Sequence, residues 1–271
     1  MYEGFYNLNR KPFQKTPDPE FLFMSNSHRE ALARLKYGVE EREIVVITGD
    51  VGCGKTTLSR ALMDSLDERY KVIALVGPLF VPGELLRLVA MKLGIDEPSP
   101  YRTELYDQIG TLFFEYYQKG ECPVILVDEA QLIPGKEGLD ELRLLTNVQL
   151  DDMNLFSLVM LGQPELKARL LSGYNEPFRQ RVGIQYHIDP LKFNEVYRYI
   201  SFRLEKAGRT EELFTDDAIE HIYKFSGGVP RKINNIASNA LLEGFGKEAQ
   251  LIGKDIIIDV ARDFGLVDWQ S

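Results

Sequence analysis

The sequence predicts an α/β fold in three layers, a parallel β-sheet with helices on both faces, followed by a small domain built of helices alone. Three observations predict it. Between residues 44 and 188, five short apolar runs alternate with segments of helical pattern, which is how buried parallel strands and their crossover helices read. The first run leads directly into a glycine-rich turn that opens a helix, "ITGDVGCGKTTLSRAL" at residues 47–62. After "HIDPL" at residues 187–191 the strand pattern stops and only helical patterns follow.

In chain order, residues 1–42 hold an aromatic and proline-rich lead, "FYNLNRKPFQKTPDPEFLF", and then the helical stretch "SHREALARLKYGVEE". Ser27 is its expected N-cap, with Glu30 three residues on to complete a capping box. Strands are expected at Ile44–Thr48, Val72–Val76, Val124–Asp128, Leu155–Leu161 and Gly183–Ile188. Between them, helices are expected at Lys55–Leu66, Pro82–Leu93, Glu104–Gln118 and Gly138–Gln149. The Tyr/Phe-rich stretch "TLFFEYYQKG" reads as a core-facing helix rather than a platform for stacking bases. The C-terminal helices are "FNEVYRYISFRLEKAG", "TDDAIEHIYKFSGG", "VPRKINNIASNALLEGFG" and "GKDIIIDVARDFG", several closed by glycine. This divides the chain into an N-terminal segment at 1–42 that packs on the core near the ligand, an α/β core at 43–190 and a helical lid at 191–271.

Composition narrows the function. At 271 residues with 44% hydrophobic side chains, the chain can bury a sizeable core. No apolar run reaches the roughly 18 residues of a membrane helix, so no direct membrane insertion is expected. The start, "MYEGFYNLNRKPF", lacks the basic-then-apolar pattern of a signal peptide. Two cysteines, Cys53 and Cys122, make no disulfide framework, and the expected location is the cytoplasm. The net charge is −9, and residues 189–271 hold 11 Lys+Arg against 14 Asp+Glu. Neither part therefore has the basic surplus that dominates binding to nucleic acid. DNA remains a possible partner but not the favoured one. His28, His187 and His221 are widely spaced and form no ligand pattern with the cysteines.

Two motifs carry chemistry. Gly49, four residues, then Gly54-Lys55-Thr56 fits G-x-x-x-x-G-K-[ST], and it lies after a strand and before a helix. Through Asp50, Val51, Gly52, Cys53 and Gly54 the backbone can wrap round phosphates whose charge meets N–H groups and a helix N-terminus. Lys55 would reach the β- and γ-phosphates, Thr56 would join a Mg²⁺ shell, and Thr57 follows in the first helical turn. Cys53 lies next to that helix start, which favours thiolate, and alkylating it is expected to block the site by obstruction. The second motif, "PVILVDEAQ", ends a buried strand in Asp128 and Glu129. Asp128 suits the metal through water, and Glu129 suits the base that activates an attacking water. The other reading of this pair is an acidic strand end capping the next helix. Gln163, in "GQPEL" at the end of the next strand, either touches the γ-phosphate and water or serves the turn before Pro164.

These residues carry a resemblance. The phosphate loop, "VILVDE", a polar strand end, "FRQRV", and a helical domain with "GGVPRKINN" together resemble an AAA+ ATPase with a P-loop NTPase core and helical lid. More narrowly, the lead "YEGFYNLNRKPFQKTPDPEFLFMSNSHREALARLKYGV" resembles the general secretion pathway protein A group, the ExeA-type ATPases. "DEAQLI", "LVMLGQPEL" and "GVPRKINNIASNAL" do so as well. The resemblance implies ATP and Mg²⁺ as cofactors, Gln163 as sensor 1 and Arg231 as sensor 2. It implies Arg181, ahead of Arg179, as an arginine finger acting in trans, and so self-association into a ring or filament. It also implies an envelope-assembly partner, in type II secretion, pilus or exopolysaccharide systems, with recruitment to the inner membrane face. Members of the group often continue into a membrane helix and a periplasmic region, so a spanning role does not transfer to these 271 residues. Two further readings stand beside this one: a DNA-associated regulator of the transposition or helicase-loader type, and a scaffold that binds ATP with little turnover.

Overall fold

A computed structural model describes residues 1–14, 19–76, 84–135, 137–150 and 153–266. It resolves into two compact units. One comprises residues 27–49 and 58–188, the other residues 1–26, 50–57 and 189–271.

The first unit is built on strands β1 (Ile44–Gly49), β2 (Tyr70–Val76), β3 (Cys122–Asp128), β6 (Ser157–Gly162) and β7 (Val182–Ile188), with a small hairpin of β4 (Gln149–Leu150) and β5 (Met153–Asn154) between. The five long strands form one sheet in the order β2-β3-β6-β1-β7, and every pairing in it is parallel. Strands β1, β3 and β6 are buried along their whole length, which is why they read as unbroken Val/Ile/Leu runs. At the sheet edge, β7 alternates between half-buried and exposed positions from Val182 to Tyr186. Helices α2 (Asn26–Glu40), α3 (Lys55–Ser65), α4 (Leu85–Lys92), α5 (Arg102–Gln118), α6 (Glu137–Leu145), α7 (Pro164–Leu170) and α8 (Glu176–Arg179) lie among them in the chain. In α5, Phe113 is fully buried and its ring stacks on Phe156 at 4.8 Å. The aromatic stretch there serves the core, as its spacing suggested.

Three sequence expectations need correction. The helix expected at Gly138–Gln149 ends at Leu145. Thr146 Oγ1 bonds back to Arg143 O at 2.6 Å, and the chain then turns into the β4–β5 hairpin, which local periodicity did not reveal. Helix α2 begins at Asn26, so Ser27 lies inside it rather than capping it. Its first amide, Asn26 N, donates instead to the distant carboxylate of Glu195 at 3.0 Å. Of the helix expected from Pro82, α4 takes up Leu85–Lys92, and residues 82 and 83 lie outside those described.

The second unit holds α1 (Tyr2–Phe5), α9 (Phe193–Lys206), α10 (Asp216–Ser226), α11 (Pro230–Gly246) and α12 (Lys254–Asp263). Its core joins Tyr2, Tyr6, Leu8 and Phe13 of the lead to Ile200, Ile222, Ile236 and Ile257 of the helices. Several bonds among the described residues fix the lead there. Tyr6 OH donates to Ala249 O at 3.1 Å, Asn9 N to Ala207 O at 2.7 Å and Arg203 Nε to Pro12 O at 2.6 Å. The Arg203 guanidinium also lies over the Phe21 ring at 4.7 Å. Residues 1–42 divide between the two units. Residues 1–26 pack with the C-terminal helices, because their aromatic side chains find an apolar face there, and residues 27–40 belong with the sheet. Among the described residues, no helix is long and apolar enough to cross a membrane.

Candidate functional site

Parallel pairing fixes which residues share an edge of the sheet. Thr48 of β1 is level with Gly162 of β6, and Met160 of β6 with Val127 of β3. The strands therefore deliver Gly49, Gly162 and Asp128 to the same, C-terminal edge, where ligands of open α/β sheets bind.

Directly after Gly49 the chain enters the glycine-rich loop. Gly52 and Gly54 take φ of 87° and 90°, a region L-residues rarely adopt. Cys53 N donates to Asp50 O at 3.2 Å, and the buried Lys55 donates through Nζ to the same carbonyl at 3.0 Å. Thr56 and Thr57 stand in the first turn of α3. Arg231, in the first turn of α11, donates its amide to Gly52 O at 3.3 Å. A Cβ at Gly52 would lie only 2.5 Å from Arg231 Cβ, so the absence of a side chain at Gly52 is what lets α11 approach the loop. Loop and Arg231 belong to one unit. A buried ammonium, two turns only glycine adopts readily and the start of a helix make a donor set suited to a polyphosphate.

Asp128, Glu129 and Gln163 belong to the other unit, and the structure bonds them together. Asp128 is buried at the end of β3 and accepts the Glu129 amide on Oδ1 at 2.9 Å. Glu129 has φ 54° and ψ 41°, a left-handed conformation that costs a non-glycine residue about 1–2 kcal/mol. Its Oε2 accepts from Gln163 Nε2 at 3.2 Å and from Gln131 Nε2 at 2.5 Å. Gln163 sits at the N-cap of α7 but makes no side-chain cap bond, so its carboxamide faces Glu129 instead of serving the turn. The short 3₁₀ turn after Glu129, Ala130–Leu132, receives no side-chain cap bond from Glu129.

The two arginines differ. Arg179 grips Glu176 of its own helix with Nε at 2.8 Å and Nη2 at 2.6 Å. Arg181 is exposed and donates to the Thr146 hydroxyl.

Cys53 departs from its sequence reading. It is buried, and that burial, with the Asp50 carboxylate nearby, pushes its thiol up rather than down. Desolvation outweighs the helix N-terminus here. Iodoacetamide at pH 7.5 should label Cys53 at least about tenfold more slowly than a free thiol in the same buffer, and urea should remove the difference. Peptide mapping of labelled protein checks this; fast labelling of the native chain would contradict the buried placement.

Comparison with known proteins bears on the whole arrangement. A family model described as an AAA domain matches residues 39–170. General secretion pathway protein A of Aeromonas hydrophila is 36% identical over 100% of this chain and 50% of its own length. Residues 39–170 of the chain are similar to AAA domains, and the whole of it is similar to general secretion pathway protein A. It spans about half the length of that relative. Solved structures agree on the fold. The ORC2 protein of Aeropyrum pernix superposes with TM-score 0.63 at 19% identity, covering 94% of this chain and 71% of that one. The RuvB Holliday junction branch migration motor of Thermotoga maritima gives 0.60 at 21% identity, covering 93% and 73%. The protein has the P-loop NTPase core with a parallel sheet and a small helical C-terminal domain.

The AAA-domain match takes in the loop, Asp128, Glu129 and Gln163, and stops before Arg181 and Arg231. Two residues of the acidic edge escaped the sequence reading. Gln131 was visible only as the last letter of "DEAQ", and Arg169 carried no signal within a helical pattern. Arg169 donates to the carbonyls of Gln131, Ile133 and Gly135 at 2.9, 2.7 and 2.8 Å, pinning the turn that follows Glu129.

Proposed function

We propose that this protein is a Mg²⁺-dependent ATPase that self-associates and drives or regulates an envelope-assembly system from the cytoplasmic side. The observation that carries the reading is the shared sheet edge, where a phosphate-loop strand, a buried Asp-Glu pair and a strand-end glutamine meet in the order the chemistry needs. Gly49, Asp50, Val51, Gly52, Cys53, Gly54, Lys55, Thr56 and Thr57 hold the phosphates, and Arg231 approaches the nucleotide from the start of α11. Thr56 and Asp128 hold the metal. ATP with Mg²⁺ supplies an activated phosphoanhydride whose charge is already partly neutralised. Glu129 takes the proton of the attacking water, and Gln163 orients it. Similarity to general secretion pathway protein A supports the envelope-system client.

Arg181 serves a neighbouring subunit as the arginine finger. Its exposure, and the engagement of Arg179 by Glu176, favour it over Arg179. The phosphate-release rate per subunit should therefore rise with protein concentration, and Arg181→Ala should lower its plateau by about 10²-fold. Duplex DNA should leave the rate unchanged. A rate that stays flat and low until DNA is added would replace the envelope reading with the DNA-associated one. A concentration-dependent rate unaltered by Arg181→Ala would remove the finger.

A further inference from the structure

We propose that Gln131 is a positioning residue for hydrolysis, its carboxamide tying the Glu129 carboxylate to the backbone of Gln163. The inference rests on the reading of Glu129 as the base. Gln131 Nε2 donates to Glu129 Oε2 at 2.5 Å, while its Oε1 accepts from Gln163 N at 3.0 Å. The chemistry of the partners dictates this orientation of the amide. Reversed, it would set an oxygen against a carboxylate and an NH₂ against an N–H. A carboxamide offers a donor and an acceptor at once, as these two partners need.

Two surroundings hold Gln131 in place. Arg169 fixes its main chain and that of the next turn through three carbonyls. Gly162, the last residue of β6, leaves the space its side chain occupies, since a Cβ there would lie 3.0 Å from Gln131 Oε1 and 2.7 Å from Leu166 Cδ2. Glu129 needs such support more than most residues. Its backbone is left-handed, so local conformational preference works against the position its carboxylate holds. With Gln163 Nε2 also on Oε2 at 3.2 Å, the two glutamines and the glutamate close a ring of three bonds. A loosened carboxylate loses rate steeply, because misplacement by about 1 Å costs about 10²-fold.

The test uses the full chain with Gln131→Met, which keeps volume but removes donor and acceptor, and Gln131→Ala as a second variant. Either should lower kcat about ten- to a hundredfold with the KM for ATP changed less than about twofold. Without nucleotide, amide hydrogen exchange at Gln163 should speed up in both variants while the melting temperature holds. Adding Gln131→Met to Glu129→Gln should slow the enzyme no further, since Gln131 acts through Glu129. Wild-type kcat in Gln131→Met beside an inactive Glu129→Gln would overturn this inference alone. So would unchanged exchange at Gln163, or a loss that adds fully to that of Glu129→Gln. A wild-type rate in Glu129→Gln would instead bring down the base assignment, and the inference with it.

Discussion

Glu129→Gln is expected to bind ATP with an affinity within about twofold of wild type and to hydrolyse it about 10³-fold more slowly, within the range that positioned general bases supply. The substitution exchanges one oxygen for an NH₂ and keeps the shape of the side chain. The substitution alters none of the bonds within the phosphate loop, where Lys55 Nζ and Cys53 N donate to Asp50 O and Gly52 and Gly54 take left-handed torsions. Binding therefore survives. An amide, however, takes no proton from water at neutral pH. The carboxylate of Glu129 is also the acceptor for two carboxamides, and the substitution forces one of those donors to face an NH₂ or turn away. Binding followed with a fluorescent ATP analogue and turnover followed by phosphate release separate the two effects. Equal losses in both would mean that Glu129 holds the fold rather than the reaction.

Gly228→Ala should be the most damaging single-methyl change in the helical unit, costing on the order of 3 kcal/mol or more. Gly228 has φ 75°, where any side chain is strained, and a Cβ would meet Leu191 O at 2.0 Å. That neighbour is backbone and cannot step aside, because Leu191 N also donates to Gly228 O at 2.9 Å. The neighbouring Gly227 provides the control. It too is left-handed, at φ 60°, but a Cβ there meets open space, so Gly227→Ala should cost only about 1–2 kcal/mol. The turn these glycines make leads through Val229 and Pro230 into α11 and so sets Arg231 beside Gly52. Gly228→Ala should accordingly weaken nucleotide binding as well as lower the unfolding midpoint in urea. Similar midpoints for the two glycine variants would refute the clash.

What the sequence made legible follows from how local each signal is. Strands β1, β3 and β6 are buried on both faces, so their composition alone announced them. The loop from Gly49 to Thr56 is contiguous, and its glycines are there for torsions that the structure shows at Gly52 and Gly54. The illegible parts depend on partners far along the chain. Asn26 is served by Glu195, the lead by Arg203 and the helix faces, and Gln131 by Gln163. No periodicity or spacing encodes a bond between a side chain and a distant backbone group. The end of α6 at Leu145 was missed for another reason: helix and hairpin meet at Thr146 within an apolar stretch whose pattern suits either. Cys53 shows two principles in conflict. Helix-start electrostatics argued for a reactive thiol, and burial, which the sequence does not state, decided otherwise.

We propose that the residues at this sheet edge turn ATP over rather than merely hold it. Phosphate release from Mg²⁺-ATP by the purified chain, with Glu129→Gln as the blank, tests it most directly. Release is expected well above the blank at subunit concentrations high enough for assembly. Release equal to the blank across that range, with ATP demonstrably bound, would contradict it and leave a nucleotide-dependent scaffold.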